Sequence, residues 1–487
     1  MVELISGRIC RLRIAEGQMH RMERIIYHRY PTREWGCFFL FGYRSCSWGA
    51  ALSVVEIFPP QAGELNRQSH IFEPSPGYIK RAAQLAMDTG LCLGVVHSHP
   101  EGCSTSPSLL DDDMDSYLAD TQGGYTKFRP YLSIILSKTD DQVSFSGRCW
   151  LDGQWLDVKS LEIVGIRLKK HLSYRHHPSE RDIRDPSRER LGDALGEASH
   201  AALRSAKIGI VGCSGTGSPA FERLVRAGVG SFVIVDPKPF KASNLERMAG
   251  SYHRHLGKSP AKVAMLRELA NEIDPSIKVM AIVGNALDDL VLDQLLDCDI
   301  VLSCTDTNHS RAFLSDIGCH YLLPVIDVAV GFDGKDSRVS EQVVEFVLYG
   351  GEFPCAHCDE RIDSYWMSVE LMDEQTKQER REDAAKFEGD GAQYWRGEPP
   401  QLLTVGYLTG MVGDMLAGYT IGMLTGCFEM PSTRFQFDIT MPNLGCVSAS
   451  RIVDSECHCE SCRGKADAAV AWRSVARPIH WPRPVFL

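Results

Sequence analysis

Between residues 206 and 236 the sequence alternates in the way that a parallel α/β sheet requires. An apolar run at 207–211 is followed by a glycine-rich turn at 212–217, a helical run at 218–227 and a second apolar run that ends in Asp236. Glycines in such a turn let backbone N–H groups approach phosphates at the amino terminus of a helix. Asp236 lies close to where a ribose-binding acid is expected in such folds. The segment therefore predicts a nucleotide-binding unit, with NAD as the default ligand.

The composition narrows the class of protein. At about 150 residues per domain, a chain of 487 residues is expected to form about three domains. A net charge of −11 disfavours nucleic acid as a partner, because phosphate contacts need clustered Lys and Arg. The most membrane-like stretch, 408–428, contains Asp414 and several glycines and indicates a buried helix, so no membrane partner is expected. We expect a cytoplasmic chain without a signal peptide, and its odd number of cysteines, 17, favours zinc binding over a disulfide scaffold.

The pattern along the chain divides it into three regions and a tail. Residues 1–165 alternate short apolar runs with turns and contain one predicted helix, at 77–88. Residues 166–190 are rich in charged residues and indicate a solvated linker. Residues 191–465 carry the strand and helix pattern of a parallel sheet, and residues 466–487 form a proline-rich tail. The predicted fold class is α/β, with two folded domains.

A possible metal site lies in the first domain. His97 and His99 are two residues apart at the end of an apolar run, so on an extended segment both imidazoles point the same way. Asp111 can complete a His₂Asp set for zinc that leaves the fourth position open to water, as a catalytic site requires. Glu34 is the candidate general base, and Ser108 could donate a hydrogen bond to a tetrahedral oxyanion.

These residues resemble the pattern of the JAMM (MPN-type) metallopeptidases. That pattern is a glutamate before a glycine-rich strand, then His-x-His-Pro and Ser-x-x-Asp, and it is met here by Glu34, His97, His99, Ser108 and Asp111. Asp112 and Asp113 stand beside Asp111, and the Pro-Ser-x-x-Asp register favours Asp111. The resemblance implies an α/β zinc peptidase that cleaves after the carboxy-terminal glycine of ubiquitin-like modifiers. A metal-free copy used only for binding is the alternative.

Charged residues beyond Asp236 argue against NAD. Arg247, Lys262 and Asp306 have no use in hydride transfer, whereas adenylation needs cations to offset triphosphate charge and a carboxylate to hold Mg²⁺. With Asn244 they resemble the ThiF/MoeB-like superfamily, which includes ubiquitin-activating enzymes, over residues 188–462. The resemblance implies a Rossmann-like domain that uses ATP and Mg²⁺ to adenylate the carboxy-terminal glycine of a ubiquitin-like protein, in a homodimer.

The same resemblance gives each residue a role. It places Gly212, Gly215 and Gly217 around ATP, Asp236 at the ribose, Asn244, Arg247 and Lys262 at the phosphates, and Asp306 at Mg²⁺. Ser214 stands where the family usually has a glycine.

Two Cys-x-x-Cys pairs predict a structural zinc site. Cys355 with Cys358 and Cys459 with Cys462 can surround one Zn²⁺ tetrahedrally through four thiolates. The pairs are far apart in the sequence, but the ThiF/MoeB-like superfamily joins two distant segments with such a zinc. By spacing, Cys457, His357 and His458 are not expected to bind it.

The segment 359–417 contains no cysteine, although relatives that form a thioester carry one in the corresponding crossover. We therefore expect the reaction to end at the acyl-adenylate. The alternative is a thioester on an unexpected cysteine, although the positions of Cys213 and Cys427 do not suit such a nucleophile. Joined together, the halves predict a bifunctional enzyme that trims or removes a ubiquitin-like protein and then activates it, in a prokaryotic conjugation or antiphage system with a conjugating enzyme as a further partner. The alternatives are activation of a sulfur-carrier protein for cofactor or siderophore synthesis, and a binding scaffold with an inactive peptidase half.

Overall fold

The structure is a computed structural model. It describes residues 4–126, 129–140, 142–176, 186–335, 338–386, 397, 404–440, 446–448, 450–468 and 475–487. Within these ranges the chain forms two sheets, the first before residue 173 and the second after residue 206. No helix in the described part of the chain combines the length and the apolarity needed to cross a bilayer.

The first sheet, over the residues that the structure describes, has eight strands in the order β1-β3-β2-β4-β5-β6-β7-β8, and β1 also pairs with β7. The strands are β1 (Leu4–Ala15), β2 (Gly36–Cys46), β3 (Gly49–Phe58), β4 (Cys92–Ser98), β5 (Tyr131–Thr139), β6 (Gln142–Leu151), β7 (Gln154–Val164) and β8 (Leu168–Leu172). Three helices accompany them: α1 (Glu16–Ile26), α2 (Pro76–Thr89) and α3 (Leu109–Thr126).

Strand β2 is buried on both sides because its alternate residues belong to two cores. Phe39 and Phe41 pack with α1, whereas Phe38 and Leu40 pack with α2 and α3. Helix α2 begins where the Ser75 hydroxyl accepts the backbone N–H of Tyr78 at 3.2 Å. The helix predicted at 77–88 is thus confirmed, with one further residue at each end.

The second sheet, in the same described ranges, has nine strands in the order β16-β15-β14-β13-β12-β9-β10-β11-β17. The strands are β9 (Lys207–Val211), β10 (Ser231–Val235), β11 (Lys278–Val283), β12 (Ile300–Ser303), β13 (Val325–Lys335), β14 (Arg338–Tyr349), β15 (Arg434–Asp438), β16 (Cys446–Ser448) and β17 (Val485–Phe486). Strands β9 to β13 are mutually parallel, and β14 to β17 are antiparallel to their neighbours. The expected parallel α/β sheet is present.

Ten helices of the described residues belong to the second half. They are α4 (Glu189–Leu195), α5 (Glu197–Ser205), α6 (Gly217–Ala227), α7 (Lys262–Ile273), α8 (Asp289–Leu296), α9 (Asn308–His320), α10 (Ser364–Leu371), α11 (Glu374–Lys386), α12 (Gly406–Thr425) and α13 (His458–Cys462). Helix α12 begins two residues before the predicted stretch 408–428 and ends at Thr425, and it packs on α6 in the core of this half.

Two segments differ from the predicted linker and tail. Leu168–Leu172 forms β8 and pairs with β7, because Leu168 is buried there although charged residues surround it in the sequence. Val485–Phe486 forms β17 and pairs with β11. The linker is therefore shorter than 166–190, and part of it, 177–185, lies outside the described residues.

A buried ionic network joins the two halves. Arg11 and Arg13 on β1 both bind Glu162 on β7, and Arg11 also binds Asp299, which precedes β12. Lys170 on β8 reaches the same Asp299 at 2.7 Å. Because all but Lys170 are buried, these contacts fix the first sheet against the second.

Candidate functional site

The glycine-rich turn joins β9 to α6 in a conformation that only glycine accepts. Gly212 has φ +95°, and a Cβ atom there would lie 2.3 Å from the carbonyl oxygen of Cys304. A Cβ on Gly217 would lie 1.9 Å from the carbonyl oxygen of Gly212, and one on Gly215 would lie 3.0 Å from the Thr409 hydroxyl. The turn is thus a bare-backbone loop at the start of α6, which suits close approach of a phosphate.

Asp236, directly after β10, ties this loop to a buried lysine. Its carboxylate accepts the backbone N–H of Cys213 at 2.9 Å and that of Lys238 at 2.8 Å. Lys262, at the start of α7, donates to the same carboxylate at 3.4 Å, and both side chains are buried. The predicted ribose acid and the predicted phosphate lysine therefore lie together beside the glycine turn.

Asn244 and Arg247 reach the same place from the segment between β10 and α7. Asn244 donates to the Ser214 hydroxyl at 3.4 Å and accepts the backbone N–H of Lys241 at 2.9 Å. Arg247 donates to the Thr404 hydroxyl, and its Nε is buried without a hydrogen-bond partner among the described residues. A buried guanidinium nitrogen that lacks a partner fits a site for an anion.

Asp306 follows β12 at the same edge of the sheet. Its side chain is 75% exposed, and its Oδ1 lies 3.9 Å from the Nζ of Lys238. An exposed carboxylate at the carboxyl ends of β9, β10 and β12 is open to solvent ions, as a Mg²⁺ ligand needs to be.

Sequence analysis missed two residues near this edge. Lys238 faces Asp306, and Glu370 of α10 covers the start of α9. The Glu370 carboxylate accepts the backbone N–H of Asn308 at 3.1 Å and contacts His309 Nδ1 at 2.9 Å. Burial alone would raise the pKa of Glu370, but these hydrogen bonds lower it. Nothing in the local sequence connects residue 370 to residue 308, so no sequence pattern could have found this contact.

The two histidines of the first half meet Asp111 as predicted. Asp111 Oδ1 lies 3.1 Å from His97 Nε2, and Asp111 Oδ2 lies 3.5 Å from His99 Nε2. His99 Nδ1 contacts the carbonyl oxygen of Ser104 at 2.7 Å, which orients Nε2 towards the centre. The ring of Phe72 stacks in parallel on His97 with centroids 5.8 Å apart. Two imidazole nitrogens and a carboxylate oxygen within 4.8 Å fit a zinc ion.

Glu34 and Ser108 stand at this cluster. Glu34 Oε1 lies 4.0 Å from His99 Nε2, while its Oε2 accepts the backbone N–H of Phe72 at 3.1 Å. The Ser108 hydroxyl accepts the backbone N–H of Asp111 at 3.2 Å, so it caps α3 and keeps its own proton for donation.

Asp112, beside Asp111, does not compete for this place. Asp112 is bound by Arg148 at 2.5 Å, whereas Asp111 faces the histidines. Burial would raise the pKa of Asp111, but hydrogen bonds from His97 and His99 hold it well below its ordinary value.

The cysteine site differs from the prediction in one ligand. The four sulfurs that come together belong to Cys355, Cys358, Cys457 and Cys459, whose ligand atoms all lie within 4.8 Å of one another. Cys355 lies 3.7 Å from Cys358 and 3.5 Å from Cys457, and Cys358 lies 3.6 Å from Cys459. Tetrahedral zinc with Zn–S bonds of about 2.3 Å needs sulfurs about 3.8 Å apart, so the set fits.

Cys457 takes the place that the spacing gave to Cys462. Residue 457 is extended immediately before α13, and its Sγ lies 3.5 Å from that of Cys355. Cys462, at the end of α13, has its sulfur 3.6 Å from the Ser461 hydroxyl and is not part of the group. The Cys-x-x-Cys spacing therefore predicted three of the four cysteines that come together.

Comparison with known proteins finds a family match in the second half and several similar proteins. The ThiF family model matches residues 187–460, more than half of the chain. Adenylyltransferase and sulfurtransferase UBA4 of Meyerozyma guilliermondii is 27% identical over 194 residues, which are 40% of this chain and 42% of that protein. The sulfur carrier protein ThiS adenylyltransferase of Bacillus subtilis is 26% identical over 173 residues, 35% of this chain and 49% of that protein. A crystal structure of E. coli MccB with ATP covers 57% of this chain and 74% of its own, with 17% identity and a TM-score of 0.41.

The family model does not include the first half of the chain. The chain spans less than half the length of the two curated relatives. The family match begins at residue 187, so the resemblance of the first half to JAMM peptidases stays a prediction.

Proposed function

The chain belongs to the ThiF family, and on that basis we propose that its second half adenylates the carboxy-terminal glycine of a sulfur-carrier or ubiquitin-like protein. The observation that carries the proposal is the glycine turn at Gly212–Gly217 with Asp236, Arg247 and Lys262 around it. A bare backbone, a helix amino terminus and two cations in one place suit a nucleoside triphosphate.

The proposed reaction is an in-line substitution at phosphorus. A carboxylate oxygen of the carrier attacks the α-phosphorus of ATP, the bond to the bridging oxygen breaks, and pyrophosphate leaves with that electron pair. Arg247 and Lys262 would offset the charge that develops on the phosphate oxygens. Asp306 would hold Mg²⁺, which supplies further charge neutralisation when bound. Asp236 would accept hydrogen bonds from the ribose hydroxyls.

The names of the relatives favour a sulfur carrier over a conjugated modifier. Both curated relatives are named adenylyltransferases, one for the sulfur carrier ThiS and one also a sulfurtransferase. The sequence between 359 and 417 has no cysteine for a thioester. We therefore propose that the product is the acyl-adenylate, and that a separate sulfur donor or conjugating enzyme consumes it.

Intact mass spectrometry tests the proposal. A carrier protein that ends in glycine should gain one AMP when it is incubated with this protein, ATP and Mg²⁺. The same carrier without its last glycine is the matched control and should not change. If neither carrier is modified and ATP–pyrophosphate exchange is also absent, the proposed activity is wrong.

A second candidate function, zinc-dependent peptidase, rests on the cluster of His97, His99 and Asp111 with Glu34 at its edge. The three ligands would hold a zinc ion, which supplies a Lewis acid and an acidified water. Glu34 would take the proton from that water and pass it to the leaving amine. Ser108 would donate its hydroxyl to the oxyanion of the tetrahedral intermediate.

This candidate has a direct test. A carrier extended beyond its terminal glycine should lose the extension without ATP, and the loss should stop after zinc chelation and return when zinc is added. Cleavage that resists chelation would exclude the zinc mechanism. If the extended carrier binds but is never cut, the first half is a binding module.

A further inference from the structure

A second group of possible ligands lies beside the cysteine site. Asp316 of α9, His357 and His458 place one oxygen and two nitrogens within 4.8 Å of one another. Asp316 is completely buried, and its Oδ1 lies 3.0 Å from His458 Nε2. The rings of His357 and His458 have centroids 5.2 Å apart. These three residues form the Asp316 group.

The positions of the two histidines in the sequence explain why they meet. His357 lies between Cys355 and Cys358, and His458 lies between Cys457 and Cys459. When the four sulfurs converge, the two intervening imidazoles converge as well, on the carboxylate that α9 provides. The cysteine segments therefore build two adjacent sites with different donors, one of sulfur and one of nitrogen and oxygen.

An ion pair alone does not account for the whole group. The Asp316–His458 contact explains two of the three members. His357 Nε2 remains buried without a hydrogen-bond partner in the described part of the chain. A buried imidazole nitrogen that has lost its water is costly unless something replaces that water. A metal ion would take its lone pair and the Asp316 carboxylate at the same time.

We propose that Asp316, His357 and His458 bind a divalent transition-metal ion, with zinc as the first choice. Two imidazoles and one carboxylate are ligands that zinc and cobalt accept, and they leave a position for water. Charge would favour a cation here, because zinc bound by the four thiolates would carry a net charge of −2 next to this group. The Sγ of Cys457 is only 3.7 Å from His458 Nδ1, which links the two sites.

A metal ion in this place would join three segments. Asp316 is on α9, whose first residue, Asn308, follows the Asp306 that we assign to Mg²⁺. The ion would fix the second half of this helix to both cysteine segments. The proposed role of the ion is to join these segments, and this role does not depend on whether adenylation occurs.

Metal content of the full chain tests the proposal. The variants are His357→Ala with His458→Ala, the conservative Asp316→Asn, and His480→Ala as a control at an exposed histidine. Each is loaded with Co²⁺, dialysed and measured by mass spectrometry for metal and by absorption for the thiolate-to-cobalt charge-transfer band. We expect the double variant to bind about one ion fewer than wild type and the His480→Ala control, with the thiolate band unchanged.

The other outcomes would overturn the site. Equal cobalt content in wild type and the double variant would mean that no ion is bound by these histidines. Loss of the thiolate band together with the ion would assign the histidines to the cysteine site instead. If the double variant does not fold by circular dichroism, Asp316→Asn decides, because it keeps the shape of the side chain and should still lose the ion.

Discussion

Arg13 on β1 and Glu162 on β7 form an ion pair with Nε and Oε2 2.9 Å apart, and both side chains are completely buried. The guanidinium of Arg13 continues across the interface and donates to the carbonyl oxygens of Leu296 and Cys298, each at 2.8 Å. One arginine thereby connects the two sheets. Separation of the halves would therefore remove two carbonyl partners from this buried guanidinium.

We expect Glu162→Gln to lower the free energy of unfolding by about 3 kcal/mol, because it leaves Arg11 and Arg13 buried with one charge partner fewer. Both proposed activities should be lost at the same denaturant concentration. Asp414→Asn, which breaks the exposed pair with Arg223, is the control and should cost less than about 1 kcal/mol. Urea unfolding, followed by fluorescence and by both activities, measures the free energy of unfolding and the denaturant concentration at which each activity is lost. Two separate transitions in wild type would contradict a shared interface.

Glu34→Gln should abolish cleavage of an extended carrier and leave the zinc content unchanged, because Glu34 supplies a base and is not in the ligand group. The loss should exceed about 100-fold. Adenylation should be unaffected. Glu101→Gln, at an exposed glutamate near the same histidines, should cleave normally. Retained cleavage in Glu34→Gln would remove this residue as the base.

Asp306→Ala should abolish Mg²⁺-dependent ATP–pyrophosphate exchange without affecting cleavage. The exposed carboxylate has only Lys238 within ion-pair distance among the described residues, so its removal should not disturb the fold. We expect a loss of about 100-fold or more. Asp193→Ala, at an exposed aspartate of α4, serves as the control. Normal exchange in the Asp306 variant would show that another residue holds the magnesium.

Asp274 should contribute to sensitivity to acid. Burial would raise its pKa, but hydrogen bonds from Ser276 and Arg188 lower the pKa to about 2. The pKa of Asp274 in the folded protein is below its unfolded value of about 3.9. Its contribution to the free energy of unfolding is therefore complete above a pH of about 3.9 and is lost as pH falls towards 2. We expect it to be about 1 kcal/mol, since solvent screens the pair. Unfolding measured between pH 5 and pH 2 should show a weaker pH dependence for Asp274→Asn, and an unchanged dependence would contradict the assignment.

Local patterns predicted the parts of the structure that depend on neighbouring residues. The strand, the glycine turn and the helix were predictable because each has a characteristic pattern in the sequence, and Asp236 lies beside that turn. His97, His99 and Asp111 also came together, since alternation along a strand fixes the direction of the two rings. The roles of these residues stay predictions, and the geometry only brings them together.

Tertiary contacts explain what sequence patterns missed. Cys457, rather than Cys462, lies with the other three sulfurs, and spacing along the chain does not show which of the two comes close to them. Leu168–Leu172 became a strand because the edge of β7 was available to a segment that looks solvated. Glu370 of α10 contacts the start of α9, and a contact between residues so far apart in the sequence cannot be predicted from local patterns.

The buried charges between the halves have a kinetic consequence. Domains on a flexible tether can pass a substrate between active sites by swinging, but halves fixed by Arg11, Arg13 and Glu162 cannot. If the chain has both proposed activities, a carrier that is cut at one site and adenylated at the other must either dissociate and rebind, or reach both sites with its tail from one docking position. The separation of the two sites is then a constant of the molecule, and the length of the carrier's tail decides which route it takes.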